Sequence, residues 1–249
     1  MFSRKSYVLT AVILIVLSTV TLYLLAKDKA YVPEEGSPEL DDVVRKVMKL
    51  DPKLPFVLII GDSISIGYTP YVKKILGGKA NVIHAPGNNQ GTTLGRQNLK
   101  NWLGKTEWDI IHFNWGLHDL KHVKVVGTAQ NSDDPNDPQQ ADIRHYKNNM
   151  KILVKELKET GAKLIFATTT PYPNNVSPSR IPEDAQKYNE VALKIMKENG
   201  VEINDLYTFI LPKLKEVQKP INVHFEPEGS EILGEMVAEA IMKNLAIHK

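Results

Sequence analysis

The sequence predicts an α/β protein of three layers, a five-stranded parallel sheet with helices on both faces, preceded by an N-terminal transmembrane or signal helix. Three observations carry this expectation. Phe56–Ile60 (FVLII) is an unbroken apolar run between Pro55 and Gly61, as expected of a strand covered on both faces. Later strand-like runs alternate with segments of helical periodicity, the pattern that builds parallel sheets. Ahead of all of them, Tyr7–Ala26 is a stretch of 20 residues without a charge.

Taken in order, the chain opens with a short basic stretch, residues 1–6, holding Arg4 and Lys5. A helix rises about 1.5 Å per residue, so residues 7–26 can cross a hydrocarbon core of roughly 30 Å. The flanking positive charges favour a cytoplasmic N-terminus, with the remainder of the chain outside, periplasmic or extracellular. The alternative is a signal peptide, removed on export to leave a secreted protein; Leu-Leu-Ala at the end of the span is half of a small-x-small cleavage site. Residues 27–36 are polar, contain Pro33 and Gly36, and read as a tether. The domain then occupies residues 37–249. Ser37-Pro38 looks like a helix cap followed by a first-turn proline, and Val43, Val44, Val47 and Met48 form a helical stripe up to Leu50.

The five expected strands are Phe56–Ile60, Asn81–Ala85, Asp109–Asn114, Lys163–Thr168 and Val201–Asp205. Helical patterns run over Pro70–Leu76, Thr92–Leu103, Ala141–Thr160, Ala185–Glu198 and Gly229–Leu245, the fourth stopping at Asn199-Gly200. No internal repeat is visible. The longest irregular stretch is Val123–Gln140, centred on NSDDPNDP; loops of that length in a compact domain are usually functional or mobile.

Composition narrows the chemistry. Hydrophobic residues make up 42% and charged residues 24%, a globular balance. With 31 basic and 29 acidic residues the net charge is +2, which argues against a nucleic-acid partner held by bulk charge. The chain has no cysteine, so disulfides, thiolate metal sites and a cysteine nucleophile are excluded.

In an open α/β sheet, ligands bind outside the carboxyl ends of the strands. The first strand ends in Gly61-Asp62-Ser63-Ile64-Ser65. Glycine permits a tight turn, and Ser63 then falls near the start of the following helix, where free N–H groups and the positive dipole end suit an oxyanion. A serine hydroxyl needs a base. Of the seven histidines, His224 in NVHFEPEG lies in a loop just before the last helix, able to reach over the strand ends.

GDSIS, then Pro86-Gly87-Asn88, then Gly116-Leu117-His118-Asp119, then NVHFEPEG occur in the order of the four blocks of the GDSL/SGNH hydrolases, and the sequence resembles that family over about residues 55–245. The resemblance implies a flavodoxin-like sandwich and metal-free ester hydrolysis with no cofactor. By the same resemblance Ser63 matches the nucleophile, and its N–H an oxyanion donor. Gly87 matches the second-block donor and His224 the base. Two positions depart from the pattern. Where the family carries an oxyanion asparagine this chain has His118, with Asn114 as the alternative donor. Where the family carries an aspartate three residues before the histidine it has Ile221, so a Ser-His dyad is expected, with Asn222 or a backbone carbonyl orienting the imidazole.

Competing readings attach to several residues. Ser63 alone could be a helix cap. His118, Asp119 and His122 could be drawn as a metal site, but neighbours on a loop are poor evidence for one. Asp133, Asp134, Asn136 and Asp137 lack the glycine and terminal glutamate of a calcium loop. His84 and His112 read as strand residues and His122, His145 and His248 as solvated. Trp102, Trp108 and Trp115 read as core or pocket wall, with a substrate contact as the alternative for Trp115. The expected function is a serine-dependent carboxylic-ester hydrolase acting outside the cytoplasm on a small-molecule or carbohydrate ester, with deacetylation foremost. The alternatives are a lysophospholipase or thioesterase type of lipid esterase, and a catalytically weakened fold that only binds carbohydrate.

Overall fold

The computed structural model describes residues 50–126 and 128–245. The basic stretch 1–6, the span 7–26, the tether 27–36 and all but the last residue of the helix read from Ser37 to Leu50 lie outside the described residues. No described helix is long and apolar enough to cross a membrane.

The first strand, β1 (Phe56–Ile60), leads into α1 (Ser63–Ile75), β2 (Asn81–His84), α2 (Thr92–Leu103) and β3 (Ile110–Phe113). Then come α3 (Ile143–Lys158), β4 (Lys163–Ala167), α4 (Pro182–Asn199) and β5 (Glu202–Asn204). A short pair, α5 (Leu206–Ile210) and α6 (Leu214–Val217), joined by a 3₁₀ turn, precedes the last helix, α7 (Pro227–Leu245). All strand pairs are parallel and the order is β2-β1-β3-β4-β5, the doubly wound arrangement whose crevice opens where the order reverses, between β1 and β3.

Strand residues carry no apolar–polar alternation because both faces are covered: Val57, Leu58, Ile59, Ile60, Ile110, Ile111 and Phe113 are all buried. Phe113 packs on Phe166 with ring centroids 5.5 Å apart and on Trp115 at 5.7 Å. Trp115 is fully buried, so it is a core residue, the first of its two readings. His122, read as solvated, is also buried; its Nδ1 faces the carbonyl of Asp137 at 2.5 Å.

Two element boundaries differ from expectation in an instructive way. The helix read from Pro70 begins at Ser63. Proline lacks the N–H for the preceding turn and usually opens a helix; here it sits inside α1 on an exposed side, and the turn before it carries a hydrogen bond from Thr69 Oγ1 to the Ser65 carbonyl at 2.6 Å. The stretch Leu206–Val217 gave no clear periodicity because it is three short turns, yet Asp205 caps the first, accepting the Thr208 N–H at 3.2 Å.

Helices α1 and α7 pack against each other at close range. Gly234 meets α1 where an added Cβ would lie 2.7 Å from Tyr71 Cβ and 3.1 Å from the Tyr68 carbonyl. Gly67 meets Ser230 of α7 in the same way, at 3.3 Å. Small residues on both helices let the two backbones approach. A Gly234→Ala chain is therefore expected to lose about 1–3 kcal/mol, the usual range for overpacking. Urea unfolding followed by circular dichroism measures it; an unchanged midpoint would show that the helices yield freely.

Candidate active site

The turn after β1 puts Ser63 at the first position of α1. Asp62 is the N-cap, its Oδ1 accepting the Ile64 N–H at 2.9 Å. Asp62 is buried, its Oδ2 has no hydrogen-bond partner among the described residues, and burial pushes its carboxyl up to about 6. Ser63 itself is half-buried.

His224 reaches this serine from the other end of the chain, Nε2 lying 2.9 Å from Ser63 Oγ. Its other nitrogen, Nδ1, is 2.7 Å from Asn222 Oδ1, which also accepts the His224 N–H at 3.0 Å. A carbonyl oxygen can only accept, so Nδ1 carries the proton and the Nε2 lone pair faces the hydroxyl. Ile221, at the position where the family has its acid, points into solvent at 65% exposure with φ of 50°, an uncommon conformation for a β-branched residue. The His224 loop is tied down by Gln218, whose Nε2 donates to the carbonyls of Pro171 and Val223 at 3.0 and 3.2 Å. Nothing in the motif pattern marks Gln218.

Gly87 sits in the loop after β2 with φ of 73°, left-handed backbone that glycine adopts without strain. Among the described residues neither its N–H nor that of Ser63 has an acceptor. The loop is joined to the end of β1 by Asn89, which sequence reasoning passed over. Buried, it accepts the Gly61 N–H at 3.0 Å, donates to the Pro86 carbonyl at 3.2 Å, and its own N–H reaches the Gly61 carbonyl at 3.1 Å. One side chain thus sets the second block against the first.

The two alternative third donors are placed differently. Asn114 spends its amide nitrogen on the Ala167 carbonyl at 2.7 Å, tying the end of β3 to β4. His118 is half-buried; its Nδ1 is sealed from solvent without a partner, and burial lowers its pKa to about 3, so the ring is neutral. Asp119, next to it, accepts the Thr92 N–H at 2.9 Å and so holds the start of α2. The drawn metal set is dispersed: Asp119 is spent on Thr92 and His122 on Asp137. Among the described residues no group of three or more acidic or histidine side chains could hold a metal ion.

Arg180 is the third feature the motifs did not signal. It is 6% exposed, its Nε donating to the Leu117 carbonyl at 2.9 Å and Nη1 to Pro178 at 3.0 Å. Desolvation, followed by the positive charges of Lys219 and Arg180, holds the His224 pKa below the usual histidine value. Asp205, at the end of β5, is bonded to Thr168 Oγ1 at 2.9 Å and caps α5.

Comparison with known proteins gives the family and the fold. The family model of GDSL-like lipases/acylhydrolases matches residues 59–232. The chain belongs to that family, and its activity class is ester hydrolysis. Among solved structures it is similar to a lipase/acylhydrolase from Enterococcus faecalis, with TM-score 0.62 and 19% identity over 76% of this chain and 95% of that one. It is similar to the acetyl xylan esterase AlAXEase, with TM-score 0.60 and 15% identity over 75% of this chain and 99% of that one. An acetylxylan esterase from Geobacillus stearothermophilus gives TM-score 0.60 and 15% identity over 77% and 94%. No curated protein sequence matches the chain.

The geometry makes Asn222 the test of how His224 is supported. A hydrogen bond to a group that becomes charged is worth about 1.5–3 kcal/mol, so Asn222→Ala is expected to lower kcat by roughly ten- to a hundredfold. Ile221→Asp should leave the rate near wild type, since Nδ1 is already engaged. Asn222→Asp places a negative charge beside the ring and raises its pKa. The base works only when neutral, so the acid limb of the kcat/KM profile should move to higher pH. A profile unmoved by Asn222→Asp would show that the contact does not exist in solution.

Proposed function

We propose that Ser63 and His224 are the catalytic pair of a metal-free carboxylic-ester hydrolase that deacetylates a carbohydrate or similar small ester. The observation that carries this reading is the relay Asn222 Oδ1···Nδ1–His224–Nε2···Oγ–Ser63, with links of 2.7 and 2.9 Å. In this mechanism Ser63 Oγ attacks the acyl carbon as its proton passes to His224 Nε2. The N–H groups of Ser63 and Gly87, joined by the outward N–H of neutral His118, receive the oxyanion. His224 then gives the proton to the leaving alcohol, and a water, deprotonated by the same nitrogen, releases the acid. Asn222 fixes the tautomer but brings no negative charge to the imidazolium, which makes this a dyad with an amide support. The acetyl xylan esterases among its structural neighbours motivate the choice of an acetylated carbohydrate. The charge-free span Tyr7–Ala26 behind Arg4 and Lys5 supports action outside the cytoplasm from a membrane anchor.

Three outcomes are expected on this reading. A fluorophosphonate should label the full-length chain at a single serine, and Ser63→Ala should lose both the label and nitrophenyl acetate hydrolysis while folding normally; retained activity would reject the nucleophile. His118→Ala should lower turnover by about 10²–10³, the usual effect of one lost oxyanion donor, and His118→Asn should recover most of it. Asn114→Ala should act on stability rather than on the chemical step, and a reversed pattern would move the donor role to Asn114. Finally, the full-length protein should stay with membranes through a high-salt wash and need detergent for release; mature protein beginning near Lys27 would show a cleaved signal instead.

A further inference from the structure

A cleft of about 380 Å³ lies between the long loop after β3 and the loop joining β4 to α4, within the range of about 300–1,000 Å³ usual for small-ligand sites. Arg180 ties the cleft to the Ser63–His224 site: it lines the cleft, and its Nε donates to the carbonyl of Leu117, the residue before His118, at 2.9 Å.

The backbone of this cleft is laced from behind. His122 N–H donates to the Ser179 carbonyl at 2.9 Å, Ser179 N–H to the Ser132 carbonyl at 2.8 Å, and Tyr172 Oη to the Ile181 carbonyl at 2.9 Å. The side chains facing it are in the opposite condition. Among the described residues Asp133, Asn174, Asn175, Ser179 and Glu183 line the cleft and make no side-chain hydrogen bond. A fixed frame therefore presents an array of unspent donors and acceptors.

We propose that this cleft is the subsite for the alcohol half of the ester and that its occupant is a neutral, polyhydroxylated moiety of the saccharide type, an inference that rests on the esterase reading of Ser63 and His224. Carboxylates and amide oxygens accept from hydroxyl groups, while amide nitrogens and the Ser179 hydroxyl donate to them. An acyl chain in the same place would meet mostly exposed polar side chains, Asp133, Asn174, Asn175 and Glu183, and little apolar surface to bury against. An anionic ligand would meet Asp133 and Glu183. Pro135 and Pro182 supply small apolar surfaces for the C–H faces of a ring.

The test compares two substrates on the full-length chain in detergent, 6-O-acetylcellobiose, whose other hydroxyls are free, and nitrophenyl acetate, in wild type and in an Asn174→Ala, Glu183→Ala double variant. The double variant should raise KM for the sugar ester by about tenfold, with kcat nearly unchanged, as the loss of one to two net hydrogen bonds predicts. Its nitrophenyl acetate kinetics should not change. An unchanged KM for the sugar ester, or an equal loss on both substrates, would overturn the subsite. Wild-type hydrolysis of nitrophenyl acetate without any of the sugar ester would overturn it too, while leaving the esterase reading standing. Calorimetric titration with cellobiose reads the cleft independently of ester cleavage. Binding in wild type that weakens in the double variant supports the subsite even if no ester is hydrolysed, and absence of binding in wild type rejects it.

Discussion

The close contact between α1 and α7 is the constraint on which the site depends. Ser63 opens α1, and His224 stands three residues ahead of α7, so the 2.9 Å separation of Oγ and Nε2 is an outcome of how those two helices pack. Gly67 and Gly234 set the distance between the helix axes by having no side chain there. A rigid core transmits small displacements instead of absorbing them. Ser63 and His224, the proposed nucleophile and base, therefore inherit their geometry from apolar packing well away from Oγ and Nε2, while Asn89 and Gln218 lock the two loops that the helices leave to be placed.

The electrostatics of the site run against what an acid-supported histidine enjoys. The imidazole faces an amide, Lys219 and Arg180, and the nearby buried carboxylate, Asp62, is a helix cap with one oxygen unpaired. A neutral base is favoured in the resting state and its protonated form is poorly stabilised during turnover. The arrangement suits a base that stays available at mildly acid pH more than one built for maximal rate.

Much of this was legible in the sequence because it rests on local signals. Unbroken apolar runs declared the buried strands, and the GDSIS and NVHFEPEG blocks declared the loops at their ends, since tight turns and helix starts demand particular residues. The departures at His118 and Ile221 were visible as well, but not their resolution, because whether Asn114 or His118 is free depends on the Ala167 carbonyl, fifty-three residues along from Asn114. Asn89, Gln218 and Arg180 escaped notice for the same reason. Each is an ordinary polar residue in sequence and acquires a role only through partners on other segments. His122 misled in the opposite direction: a loop histidine suggested contact with water, and burial overrode it. The GDSIS turn already put Ser63 near a helix start, whereas the periodic stretch was read only from Pro70, which normally opens a helix and here rides within one.

The separation of Ser63 and His224 by 161 positions bears on how the protein comes into being. Ribosomes deliver the chain from its N-terminus, and β1, α1 and most of the sheet are available long before the histidine loop and α7 have been made. Until those last segments dock, Ser63 lacks its histidine partner. A nascent or truncated chain can thus contain nearly the whole sheet and still be inert, and hydrolytic competence arrives late, with the closing long-range contact. Such distant pairing also slows folding relative to proteins built from neighbouring segments, so the same topology that delays the chemistry sets the pace at which the molecule matures.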